Sequence, residues 1–135
     1  MSESETESFR LRLSLPSHPV SVAAARSLVR ALPRTPDELL GEIEIIVSEL
    51  VTNAIRHGSL NVEDLIELEL EATPTVVRGC VRDHGAPFSI PDAPPIDGED
   101  GGFGLFISRK LADSLTIGRS GTGNEVWFTA TPRAS

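Results

Sequence analysis

From Thr35 to His57 the apolar residues Leu39, Ile43, Ile46, Val47, Leu50 and Ala54 recur at helical spacing and fall on one stripe. The pattern predicts one long helix: Thr35 caps it, Pro36 takes the first helical position, Glu38 stands three residues after the cap, and Gly58 stops it. A stripe of that length needs a sheet to face, and the rest of the chain supplies the strands. Phe9 to Leu15 alternates Phe9, Leu11, Leu13 and Leu15 against Arg10, Arg12 and Ser14, the period of a half-buried strand closed by Pro16. Leu65 to Ala72 and Val76 to Asp83 alternate in the same way and are joined at Thr73-Pro74-Thr75, which predicts a hairpin. Its facing rows, Glu67, Glu69 and Glu71 against Arg78 and Arg82, can pair across the strands or form a plain solvated face.

A second amphipathic helix is expected over Val20 to Leu32, ended before Pro33. Its polar side carries Arg26 and Arg30, which can serve partner contact, dimerisation or only solvation. Gly85 to Gly101 holds four prolines and three glycines without periodicity and reads as a long loop. Helical spacing returns from Phe103 to Leu115. Two last strands, Leu115 to Ile117 and Glu125 to Thr131, flank a turn at Ser120-Gly121-Thr122-Gly123-Asn124. This order predicts one domain over residues 9–132, a sheet covered on one face by helices, behind an acidic, disordered tail at residues 1–8.

The length of 135 residues suits a single core. A net charge of −8 repels phosphate backbones and anionic lipid, which argues against direct nucleic-acid or membrane binding. No apolar run approaches the roughly 20 residues of a membrane span, and the N-terminus lacks the features of a secretory signal. Cys80, the only cysteine, is expected to be a buried core thiol in a reducing cytoplasm.

Three segments carry chemical potential. On the long helix Glu49, Asn53 and His57 stand at i, i+4 and i+8 on one face. An amide oxygen is a hard ligand for Mg²⁺, and a carboxylate one turn away can orient or deprotonate a hydroxyl; alone, the trio also reads as a polar flank ending in a dipole-favoured histidine. Asp83-His84-Gly85 places an acid at a strand end, where it can accept a hydrogen bond from the exocyclic amine of a base, or simply make a turn. Gly101-Gly102-Phe103-Gly104-Leu105 opens a helix, where glycines let backbone N–H groups meet a phosphate, or act as a hinge. Neither Gly-x-x-x-x-Gly-Lys nor Gly-x-Gly-x-x-Gly occurs. A hydrolase triad through His57 and Asp83 lacks a Gly-x-Ser-x-Gly elbow, and a zinc site through Cys80, His84 and His57 lacks paired ligands.

In this order and spacing the three segments resemble the boxes of the GHKL, or Bergerat-fold, ATPases: an N box at Glu49 to Gly58, a first glycine box at Asp83-His84-Gly85 and a second at Gly102-Phe103-Gly104-Leu105. From Phe9 to Thr131 the chain looks most like the anti-sigma factor serine kinases, with Ser48-Glu49-Leu50-Val51-Thr52-Asn53-Ala54 the most specific run. No phosphoacceptor-histidine helix pair is expected ahead of the domain. The resemblance implies a two-layer α/β sandwich with a mixed, mostly antiparallel sheet. It implies ATP and Mg²⁺ as ligands, Asn53 on the metal, Glu49 as base toward a substrate serine or threonine, and Asp83 on the adenine amine with Gly85 beside the base. Gly102 and Gly104 would hold the phosphates, Phe103 and Leu105 would belong to the same ATP site, and His57 either joins the nucleotide site or closes the helix. Such proteins bind a sigma factor, phosphorylate an antagonist of the anti-sigma factor, and often form homodimers. Two departures stand out: Ala86-Pro87 follow Gly85 where a second glycine is usual, and the segment from Gly85 to Gly102 is short and acidic, without lysine or arginine. They leave open a non-catalytic, ATP-dependent protein-binding module of the same fold.

Overall fold

The computed structural model describes residues 8–57, 63–90, 102–121 and 123–132. Strand β1 (Phe9–Pro16) is followed by helices α1 (Val20–Arg30) and α2 (Asp37–His57), strands β2 (Leu65–Ala72) and β3 (Val77–Arg82), helix α3 (Gly102–Leu111), and strands β4 (Ser114–Ser120) and β5 (Gly123–Ala130). The sheet order is β1-β2-β3-β5-β4, and each neighbouring pair is antiparallel, so the sheet expected to be mixed and mostly antiparallel is antiparallel throughout its described strands. The expected tail falls largely at residues 1–7, and Gly58 and residues 91–101 of the long loop likewise lie outside the described residues.

The alternation in the sequence sorts the sheet into two faces. Leu11, Leu13 and Leu15 stand opposite Leu70, Leu68 and Ile66; Val81 lies between Leu68 and Val126, and Gly79 between Leu70 and Phe128. Against this face lie Ala25 and Val29 of α1, the full α2 stripe of Leu39, Ile43, Ile46, Val47, Leu50 and Ala54, and Leu105 of α3. Each fully buried leucine or isoleucine contributes roughly 1.5–3 kcal/mol, so α2 is fixed mainly by its stripe. Asp37 and Glu38 in its first turn and Arg56 and His57 in its last add a favourable dipole arrangement. The Thr35 hydroxyl donates to Pro33 O at 3.0 Å, and Pro36 O accepts the bond from Leu40 N.

The other face carries charge instead of helices. Arg10 pairs with Glu71 at 2.9 Å, Arg12 with Glu67 at 3.6 Å, and Arg82 with Glu69 at 3.0 Å and Glu125 at 2.7 Å. Arg78 and Arg82 both lie over the Trp127 ring, 5.6 and 5.4 Å from its centroid. Cys80, at 0 % exposure, is on this face, with Glu69 and Trp127 as its register neighbours. The thiol is buried as expected, but its covering is charged and aromatic rather than the helical core.

Several boundaries differ from the expected ones, three of them for local reasons that the hydrogen bonds show. α1 stops at Arg30, and Ala31 and Leu32 close it with bonds to the carbonyls of Leu28 and Val29. α3 stops at Leu111 rather than Leu115, because Asp113 N donates to Thr129 O and Asp113 Oδ2 accepts from Thr131 N and Oγ1. That capture starts β4 at Ser114, earlier than the Leu115–Ile117 core of the pattern. Arg26 and Arg30 of α1 both reach Glu44 of α2.

Candidate functional site

Helix α2 presents Glu49 and Asn53 one turn apart, but their surroundings differ. Asn53 is buried, at 7 % exposure, and its side-chain amide makes no hydrogen bond among the described residues. A buried, unpaired amide costs roughly 1–3 kcal/mol, a deficit that a ligand removes. Asn53 is therefore not part of an exposed polar flank, whereas His57 is exposed in the last turn.

Glu49 is half-buried between two surfaces. On one side is α3: a Cβ built on Gly104 would overlap the Glu49 carboxylate, with Cδ 2.7 Å away. On the other side Glu49 lines a cleft of about 230 Å³ with Arg26, Gly41, Glu44, Ile45 and Ser48. Gly104 thus lets α3 sit directly on the acid. Gly102, Phe103, Gly104 and Leu105 are the first four residues of α3, those whose N–H groups have no partner within an α-helix. The Leu105 side chain is buried in the hydrophobic core, so only its backbone can face a ligand. Ser108 Oγ donates to Gly104 O at 3.0 Å.

Asp83 follows β3 and is also buried, at 7 % exposure. Its Oδ1 accepts from Gly85 N at 2.8 Å, from Asn124 Nδ2 at 2.9 Å and from Asn124 N at 3.3 Å. Among the described residues Oδ2 takes no hydrogen bond. The sequence pattern singled out Asp83 and Gly85 but missed what holds them. Asn124 and Arg119 bond to Gly85 O, and Asn124 also bonds to Ala86 O. Gly123 is pressed against the Asp83 carbonyl, whose carbon would lie 2.7 Å from an added Cβ. The signal was Gly123-Asn124 at the strand start, which a turn explains equally well.

The structure thus brings Glu49 and Gly104 into contact, and couples Asp83 and Gly85 to the β4–β5 hairpin. Chemically, a buried neutral amide stands one helical turn from a carboxylate, and that carboxylate lies against the first turn of α3. A second carboxylate keeps one oxygen available as an acceptor. Both features fit a nucleotide with its metal: Asn53 supplies an unsatisfied buried amide, and Asp83 an unsatisfied buried oxygen.

The model of the histidine kinase-like ATPase domain family matches residues 15–130. Among solved structures, the chain is similar to the RsbU and RsbW domains of Rv1364c from Mycobacterium tuberculosis, with a TM-score of 0.69 at 19 % identity, covering 91 % of this chain and 32 % of that one. It is also similar to the histidine kinase domain of the blue-light activated histidine kinase from Erythrobacter litoralis, with a TM-score of 0.56 at 24 % identity, covering 86 % of this chain and 61 % of that one. A longer structure of the same kinase gives 0.58 at 23 % identity, covering 88 % and 42 %. At these identities the likeness is one of fold, and the chain spans about a third of the Mycobacterium tuberculosis protein structure. No curated protein matches the chain.

Proposed function

The chain belongs to the histidine kinase-like ATPase domain family, and from that premise we propose that it is an ATP- and Mg²⁺-binding regulator of protein partners, an anti-sigma factor with serine/threonine kinase activity. The observation that carries the nucleotide reading is the buried, unpaired Asn53 amide one turn from Glu49. Asn53 is the residue to hold Mg²⁺; when bound, the ion neutralises phosphate oxygens. Asp83 accepts from the adenine amine through Oδ2, and the first turn of α3 offers backbone N–H groups to the phosphates.

Glu49 is the base for the incoming hydroxyl. It accepts the proton as that oxygen takes up the γ-phosphoryl group and ADP leaves. The cleft that Glu49 shares with Ser48 and Ile45 gives a protein substrate a route to it. The partners that suit this reading are a sigma factor, which is sequestered, and an antagonist protein, which is phosphorylated. A cytoplasmic setting fits, because Cys80 has no cysteine to pair with and no helix among the described residues is long and apolar enough to cross a membrane. One observation favours a non-catalytic binding module instead: Gly85 to Gly102 contains no lysine or arginine to meet a γ-phosphate.

Thermal unfolding with and without Mg·ATP tests the site. A ligand at 100 times its Kd stabilises by about 2.7 kcal/mol, and this gain should vanish in Asn53→Ala and in Asp83→Ala. Glu49→Gln should keep the gain and lose transfer of labelled phosphate to an antagonist co-purified from the host. Equal thermal shifts in all variants remove the site; binding without transfer in the wild type selects the non-catalytic module.

A further inference from the structure

Asn124, the second residue of β5, is 1 % exposed, and its side-chain amide both donates and accepts hydrogen bonds. Nδ2 donates to Asp83 Oδ1 at 2.9 Å, to Ala86 O at 2.9 Å and more weakly to Gly85 O at 3.4 Å, while Oδ1 accepts from Arg119 Nη1 at 3.0 Å. Arg119 Nη1 also donates to Gly85 O at 3.0 Å. The backbones of Asp83 and Asn124 pair in both directions, and Gly123 permits that close approach. One amide therefore ties the Asp83 carboxylate and the carbonyls of Gly85 and Ala86 to the β4–β5 hairpin.

A carboxylate turns easily about its last torsion, so either oxygen can face a ligand unless one is held from behind. Three donors hold Asp83 Oδ1, two of them from Asn124. Where the resemblance leads one to expect a second glycine, Ala86 stands with its carbonyl fastened by the same amide. We propose that Asn124, braced by Arg119, is a specificity-determining positioning residue that keeps Asp83 Oδ2 and the Gly85-Ala86 edge set to accept a 6-amino purine and reject a 6-oxo purine. A 6-oxo purine sets an acceptor against Oδ2, and discrimination grows with the rigidity of the group that is left unpaired. This rests on the nucleotide-binding reading above and adds to it the origin of base selectivity.

Calorimetric titration of the whole chain with Mg·ATP and with Mg·GTP tests it, in the wild type, Asn124→Ala and Arg119→Ala. The wild type should prefer ATP. In Asn124→Ala the ATP-to-GTP affinity ratio should fall about tenfold, the scale of one lost bond to a charged group, mainly through weaker ATP binding. Arg119→Ala, altered at an exposed position, should shift the ratio the same way by a smaller factor, and it decides the matter if Asn124→Ala does not fold. A purely structural role lowers both affinities together, so an unchanged ratio in the folded variants overturns the proposal while leaving ATP binding intact. A wild type that binds neither nucleotide overturns the nucleotide reading itself, and this proposal with it.

Discussion

Gly104 and Gly123 are both crowded, but by different kinds of atom. At Gly104 the obstacle is the far end of Glu49, a flexible side chain. Gly104→Ala should therefore leave stability unchanged or raise it by about 0.5–1 kcal/mol through helix propensity, while it displaces the acid. Its urea midpoint should match or exceed the wild type, and phosphoryl transfer should fall at least as far as in a variant that weakens Glu49. At Gly123 the obstacle is the Asp83 carbonyl itself. A methyl there forces apart the Asp83–Asn124 backbone pair, and losing two buried hydrogen bonds costs roughly 1–3 kcal/mol each. Gly123→Ala should thus lower the urea midpoint sharply, and a midpoint equal to that of Gly104→Ala would contradict the close packing of Gly123 on the Asp83 carbonyl.

The strands and helices were legible because their burial is periodic. The six-residue stripe of α2 and the alternation of β2 and β3 come through intact, since one face of each meets one layer of apolar residues, and that of β1 does so from Leu11 onward, with Phe9 left exposed at the strand's start. Features set by contacts between distant segments were not legible. α3 ends early because Asp113 is captured by Thr129 and Thr131, and Asn53, which spacing alone does not tell from a polar flank, is buried. At the site, Glu49, Asn53 and Asp83 could be singled out by type and spacing, whereas Asn124 and Arg119 matter only through a pairing about 40 residues away along the chain. The charged face of the sheet is similar. Its rows were visible, but Arg82 bridges Glu69 and Glu125 across two strand pairs, a choice fixed by the sheet order. There the Glu125 carboxyl is held below its ordinary value of 4.5, first by the Trp127 N–H and then by Arg82. A depressed carboxyl contributes its stability above the unfolded value and loses it as pH falls through the folded one. Stability should therefore decline once pH drops below about 4.5, and less steeply in Glu125→Gln. Urea titrations at pH 7 and across the acid range, followed by Trp127 fluorescence, read this out; equal slopes for both proteins would remove Glu125 from the acid response.

In the whole molecule β3 is the central strand, paired with β2 and β5, and it is covered on both faces. Helices lie over Val77 and Val81, and Arg78, Trp127 and Arg82 roof Cys80. Asp83 continues directly from this strand, so the acid proposed to read the base is mounted on a strand covered on both faces. Cys80 makes that centre measurable. Burial pushes its thiol up to about 12, and the buried sulfur is closed to reagents. Reaction with a thiol reagent at neutral pH then requires that the charged roof over Cys80 open, and where the two faces of β3 open together as one cooperative unit that opening is global unfolding. In the fast-reclosing regime, the free energy derived from the Cys80 labelling rate should equal the global unfolding free energy from urea, and Mg·ATP should slow labelling by the factor that its binding adds to stability. Labelling much faster than that limit, and insensitive to Mg·ATP, would mean that the charged roof lifts on its own while the helical layer stays folded, and that the two faces of β3 are not one cooperative unit.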